Sequence, residues 1–400
     1  MDLRSDSPYW LLKSGVIKNY PSLSSDKTTD VVIMGGGITG ALVAWHLCRK
    51  GFKVIVVDKR HVGMGSTAAS TSLLQYEIDT PLTELADKVG EKNAVRSYKL
   101  CIKSIYDLQK ICKGFKEDVG FELKESFQYA SSKKDAADLA KEYALRKKHG
   151  IDLSWMTESA VKRKFGFAAP AGVLSRDGAA VDAYQLTHAL LDQATKWGLQ
   201  TYDTTEVTHI HHQRKKITLG TSTGSKITAK HLVIACGYES QKYIPKKIEE
   251  LNSTYAIISE PFAQKKLWHD NCLIWETATP YLYMRTTPDN RIIVGGKDDK
   301  TSNPNKRNKA LPKKVRELEK AFNRLFPEYH FKTDFQWAGT FGETKDGLPY
   351  IGSIPQRPNT SFALGFGGNG ITFSVIAAQM ITDKLTGKPN RDNPIFGFNR

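Results

Sequence analysis

The chain has 400 residues, 40% hydrophobic and 25% charged, the proportions of a soluble globular protein with one large domain or two interleaved ones. No apolar run approaches membrane-spanning length, and the first twenty residues hold only the short patch Trp10-Leu11-Leu12, so neither a span nor a secretion leader is expected. The net charge of +16 comes from short clusters such as Arg146-Lys147-Lys148, Arg214-Lys215-Lys216 and Lys306-Arg307, spread along the chain and interleaved with acids. That pattern reads as a solvated lysine-rich surface, with a nucleic-acid or anionic partner as the alternative.

In chain order, the first informative stretch is Asp30 to Asp58. Val31 to Met34 is a continuous apolar run, the pattern of a strand buried on both faces of a parallel sheet. Gly35, Gly37 and Gly40 follow at the G-x-G-x-x-G spacing: the first for a tight turn, the second for close approach of backbone to a pyrophosphate, the third for helix-on-strand packing. A helix opens at Ile38 and Thr39 with its positive end toward the phosphates. Ala41, Ala44, Leu47 and Cys48 form its inner stripe, and Gly51 ends it. Val54 to Val57 make a second strand, and Asp58 closes it with a carboxylate suited to a ribose diol. An acid there disfavours a 2′-phosphorylated nucleotide. Together these features predict a dinucleotide site.

Residues 81 to 117 carry helical spacing, Phe121 to Ala130 alternates as a strand, and Asp135 to His149 returns to helix. Thr157 opens a short helix ended near Gly166, and Tyr184 to Trp197 is amphipathic. Hairpin-like strands run from Glu206 to Ile227, followed by a buried strand, Leu232 to Ala235, that enters Cys236-Gly237. His209, His211 and His212 lie on this hairpin, and no third ligand near His209 and His211 supports a metal reading, so no metal is expected. Tyr255 to Ser259, Cys272 to Trp275, Tyr281 to Arg285 and Arg291 to Gly295 are strand candidates. A helix is expected from Pro312 to Phe326, a strand at Ser361 to Leu364, a glycine-rich turn at Gly365 to Gly370 and an apolar helix at Ile371 to Leu385. The five cysteines are scattered without a C-x-x-C pair, which favours free thiols and a cytoplasmic setting.

The segments GGGITG with VVD, GSTAAST, VIACG, RIIVGG, TKDGLPYIG and GFGGNGIT occur in that order. In this combination the chain resembles the FAD-dependent oxidoreductases of the D-amino-acid-oxidase superfamily, the group of glycine and sarcosine oxidases, from about Ser7 to Lys388. The resemblance implies an α/β fold: a Rossmann-type FAD-binding domain interleaved with an α+β substrate domain on a mixed, largely antiparallel sheet. The expected boundaries are 1–85, 165–240 and 335–400 for the FAD-binding domain, and 86–164 and 241–334 for the substrate domain. It also implies that Gly65, Ser66, Thr67, Ser70 and Thr71 wrap the pyrophosphate and reach the flavin, that Val207 holds the adenine, and that Ala235 and Gly237 form the adjoining turn. Lys59, beside Asp58, belongs to the same expected set. Gly368, Asn369, Gly370, Ile371 and Thr372 match the loop along the flavin pyrimidine edge, where a helix N-terminus stabilises charge arriving with a hydride.

Departures from the resemblance are specific. Covalent-flavin members place a cysteine near Gly339, so non-covalent FAD is expected here. Phe341 stands where amino-acid oxidases often carry an arginine, Gly63 to Tyr76 contains none, and the lysine associated with oxygen reactivity falls on Ile293. In such enzymes a C–H next to nitrogen or oxygen delivers hydride to the flavin, so no nucleophile or metal is needed. The expected donor is a small amine or amino acid, with a tRNA-attached amine or a 2-hydroxy acid as alternatives and oxygen or another molecule as acceptor. Tyr281, Tyr283 and Arg285 share a strand face. Tyr283 and Arg285 are the candidate catalytic residues, with Arg285 a possible carboxylate binder. Gln75 and Tyr76 are further candidates for the pocket wall.

Overall fold

The computed structural model describes residues 1–5, 7–264 and 266–400. Among these, eight strands form one sheet and ten another. The apolar run predicted at Val31 is the end of the strand Lys27–Met34, which pairs in parallel with Val54–Val57 on one side and Lys226–Ile234 on the other. Thr360–Leu364 and Gln200–Tyr202 extend this parallel core at its two ends. Val31, Val32 and Ile33 are all buried, as expected for a strand covered on both faces. The helix Ile38–Arg49 packs between Ala183–Thr195 and Gly370–Leu385 over this sheet. Ala183–Thr195 is capped by Asp182, whose Oδ1 accepts from the backbone N–H groups of Tyr184 (3.1 Å) and Gln185 (3.0 Å).

The second sheet runs, in spatial order, Arg4–Ser5, Thr333–Thr344, Glu249–Ser259, Ile292–Asp299, Leu282–Thr286, Leu273–Glu276, Glu122–Tyr129, Ala171–Ala180 and Leu73–Gln75, with Leu153–Thr157 beside Ala171–Ala180. Every pairing is antiparallel except Leu273–Glu276 with Glu122–Tyr129, so the sheet is mixed and largely antiparallel. The helix Pro304–Leu325 covers one face through Leu311, Val315, Leu318 and Phe322. Burying each such side chain contributes roughly 1.5–3 kcal/mol.

The structure corrects several boundaries. Ala171–Ala180 and Thr333–Thr344 belong to the second sheet, so domain limits drawn at 165 and 335 cut through it. The helix expected at Pro312 begins at Pro304, where Asn303 Oδ1 accepts from the N–H groups of Asn305 and Lys306, and Pro312 lies in its interior. The helical stretch at 81–117 divides at Gly90 into Leu82–Val89 and Glu91–Cys112. Two arginines of the supposed surface clusters are buried: Arg146 pairs with Glu142 at 2.7 Å, and Arg307 donates to the Asp2 carbonyl at 3.1 Å and to the Thr340 hydroxyl at 3.2 Å.

Candidate active site

A single continuous cavity begins at the glycine-rich turn, crosses the ends of the parallel strands and reaches the inner face of the second sheet. Gly35 has φ +107°, and a Cβ there would overlap the Ala235 carbonyl oxygen. A Cβ on Gly40 would overlap the Gly35 carbonyl oxygen, so this glycine serves packing and is not among the lining residues. Gly37 caps the helix Ile38–Arg49 and lines the cavity with Ile38 and Thr39. The Ile38 N–H donates to Thr67 Oγ1 at 3.0 Å, which ties the GSTAAST segment to the turn.

Asp58 also lines the cavity, but its carboxylate accepts from the N–H groups of Gly36 (2.7 Å) and Arg60 (2.8 Å). Desolvation pushes its pKa upward, and those two bonds oppose the shift. Lys59 and Arg60 both pair with Glu239, at 2.8 and 2.9 Å. Val207, Ala235 and Gly237 complete this end.

Gly65, Ser66, Thr67, Ser70 and Thr71 line the middle, and Ser66 Oγ is buried with no hydrogen-bond partner among the described residues. The Ser70 carbonyl accepts from Trp10 Nε1 at 2.7 Å. Across the cavity, Gly368, Gly370 and Ile371 are on the wall, whereas Asn369 and Thr372 are not. Asn369 Nδ2 donates to the carbonyls of Gln75 (3.1 Å) and Glu77 (2.8 Å), and Thr372 Oγ1 donates to the Asn369 carbonyl at 3.0 Å. Both therefore hold the loop in shape. The Gly368 N–H donates to Asp79 Oδ2 at 2.6 Å, placing a carboxylate near the start of the helix Gly370–Leu385.

At the sheet end, Tyr281 and Tyr283 line the cavity with ring centroids 5.7 Å apart. Desolvation raises the Tyr283 phenol to about 12, so it is a protonated hydrogen-bond donor near neutral pH. Arg285, expected beside them, is a correction. It is 2% exposed and absent from the wall, and its guanidinium donates to the carbonyls of Ser72 (2.8 Å), Val181 (2.9 Å) and Thr286 (3.1 Å). Burial lowers its pKa to about 10. Strand alternation gave the correct face, but the strand runs past the cavity before it reaches Arg285. Gln75 is on the wall; Tyr76 is buried in the core, its ring centroid 6.0 Å from that of Tyr98. Sequence reasoning missed Thr254 and Asp298, which also line this end. The available signal was the Gly295-Gly296 pair inside a strand, a mark of a bulge.

The histidines of the hairpin stay apart from the cavity, with His212 Nδ1 3.2 Å from the Pro358 carbonyl oxygen.

Residues 30–384 match the family model described as DAO, FAD dependent oxidoreductase. The chain belongs to this family of FAD-dependent oxidoreductases. It is similar to a glycine oxidase of Bacillus licheniformis, with 27% identity over 392 residues, covering 93% of this chain and 97% of that protein. The gamma-glutamylputrescine oxidoreductase of Escherichia coli (strain K12) is 24% identical over 400 residues, covering 96% and 90%. The crystal structure of glycine oxidase from Geobacillus kaustophilus shares the fold, with a TM-score of 0.78 and 21% identity over 94% of this chain and 99% of that one. The cavity of this oxidoreductase fits FAD: glycine backbone is open to close approach at Gly37, and the orphaned Ser66 hydroxyl awaits a partner.

Proposed function

We propose that the oxidoreductase holds FAD non-covalently and oxidises the carbon next to nitrogen of a small amine or amino acid. The observation that carries this reading is the continuity of the cavity from the glycine-rich turn to the Tyr281–Tyr283 pair. Bound flavin supplies the hydride acceptor.

The chain's residues then have separate tasks. Gly35, Gly37, Ile38 and Thr39 with Gly65, Ser66 and Thr67 surround the pyrophosphate, Gly37 by close approach of its backbone and Ser66 through its unpartnered hydroxyl. Asp58 and Lys59 face the ribose, and Val207, Ala235 and Gly237 the adenine side. Ser70, Thr71, Gly368, Gly370 and Ile371 border the ring, with Asn369 and Thr372 fixing the loop. Gly339 lies at the wall, at the position where covalent-flavin members carry a cysteine. Tyr283 orients the donor by hydrogen bonding, and Arg285 positions the Thr71–Ser72 segment from behind. The five free cysteines support a reducing, cytoplasmic setting.

The test is an anaerobic screen of amines, amino acids and 2-hydroxy acids against the FAD-loaded protein. Bleaching of the flavin by a nitrogen donor is expected, and readmitted air then distinguishes an oxidase from a dehydrogenase. A flavin that stays yellow with every nitrogen donor would refute the proposal.

A further inference from the structure

The sheet end of the cavity has an unusual charge. Glu249–Ser259 and Ile292–Asp299 pair Ser253 with Asp299 but Tyr255 with Gly296, so Lys297 and Asp298 together stand opposite Thr254. Such a bulge re-aims side chains, and here it sets Asp298 on the cavity wall beside Thr254 and the two tyrosines. Asp298 Oδ1 is buried with no hydrogen-bond partner among the described residues. The nearby cation Lys314 is engaged elsewhere: its Nζ donates to the Lys297 carbonyl and to Asp299 Oδ1, both at 2.7 Å.

The cationic residues among those described on the wall are Lys59, Arg60 and Lys242. All belong to the other end, where the first two pair with Glu239 and Lys242 lies over the Tyr243 ring at 4.9 Å. Near the tyrosines the further charge is again negative, because Tyr281 OH donates to Asp79 Oδ1 at 3.4 Å. A donor carboxylate would enter this end without a counter-cation and against Asp298. An ammonium group would meet an unpaired carboxylate and two aromatic faces.

We propose that the donor is an amine that binds as a cation and carries no carboxylate, with its ammonium group against Asp298 and the Tyr281–Tyr283 pair. This rests on the reading of the cavity as the flavin and donor site. The assignment is one of binding, so it is tested without turnover. Benzylamine and benzoate share a ring and differ in the sign of their charge. Each is titrated into the oxidised, FAD-loaded protein at mildly alkaline pH and followed by flavin absorbance and by calorimetry.

The wild type is expected to bind benzylamine at least about tenfold more tightly than benzoate, and Asp298→Asn is expected to remove most of that ratio. Equal or tighter binding of benzoate by the wild type overturns the assignment, and so does an unchanged ratio in Asp298→Asn. The wild-type comparison stands by itself if the variant fails to fold. The two levels separate cleanly. Protein that retains no flavin refutes the underlying reading, whereas flavin-loaded protein that prefers benzoate and is bleached by amino acids refutes only the cationic donor.

Discussion

Glu249 offers a sharp test of the electrostatics behind the cavity wall. It begins the strand Glu249–Ser259, is 3% exposed, and neither carboxylate oxygen has a hydrogen-bond partner among the described residues. Desolvation alone raises its pKa from 4.5 to about 7. Because the folded value lies above the unfolded one, the contribution to stability is complete below about pH 4.5 and is lost as pH rises through about 7. At about 1.4 kcal/mol for each pH unit between the two values, the full loss is about 3 kcal/mol. Glu249→Gln keeps the shape and removes the titration. Urea unfolding of both proteins across this pH range should show the stability of the variant relative to wild type rising by about 3 kcal/mol from acid to alkaline conditions. A difference that stays flat with pH would refute the reasoning, because it would mean that the buried carboxylate is already satisfied.

Three further outcomes follow from the same geometry. Arg285→Met should lower the melting temperature and speed release of FAD, since each buried carbonyl left without its donor costs about 1–3 kcal/mol; unchanged flavin retention would remove the positioning role. Gly35→Ala should yield colourless protein, because its Cβ overlaps the Ala235 carbonyl oxygen, and a fully flavinated variant would contradict that packing. Benzylamine affinity should rise with pH through about 6, the value to which desolvation, with Asp79 and Glu343 adding like charge and Thr254 and Lys314 opposing, raises Asp298. Tyr281 and Tyr283 stay protonated there, each raised by desolvation. A pH-independent affinity between about 5 and 8 would show that Asp298 is not the group sensed.

What the sequence disclosed was local. From Val31 to Asp58, strand, turn, helix and second strand follow from apolar runs and glycine spacing within one stretch of chain, and the structure has them there. The hairpin after Glu206 was legible for the same reason. Ala171–Ala180 was not: AGVLSRDGAA is buried at nine of its ten positions, so it shows no alternation. The N-terminal helix Tyr9–Ser14 looked like an isolated apolar patch because the partners of Trp10, including the Ser70 carbonyl, lie far along the chain. Arg285 and Asp298 show the same limit at the site. Alternation fixes a face, but how far along a strand a cavity extends, and where a bulge turns a carboxylate into it, depend on neighbouring strands.

The most direct test of the central claim is the cofactor content of the purified protein. After reconstitution with FAD and removal of excess, the protein is expected to be yellow with one FAD per chain, all of it released into the supernatant by acid precipitation. Protein that remains colourless would refute FAD binding, and flavin that stays with the acid-precipitated chain would refute a non-covalent link.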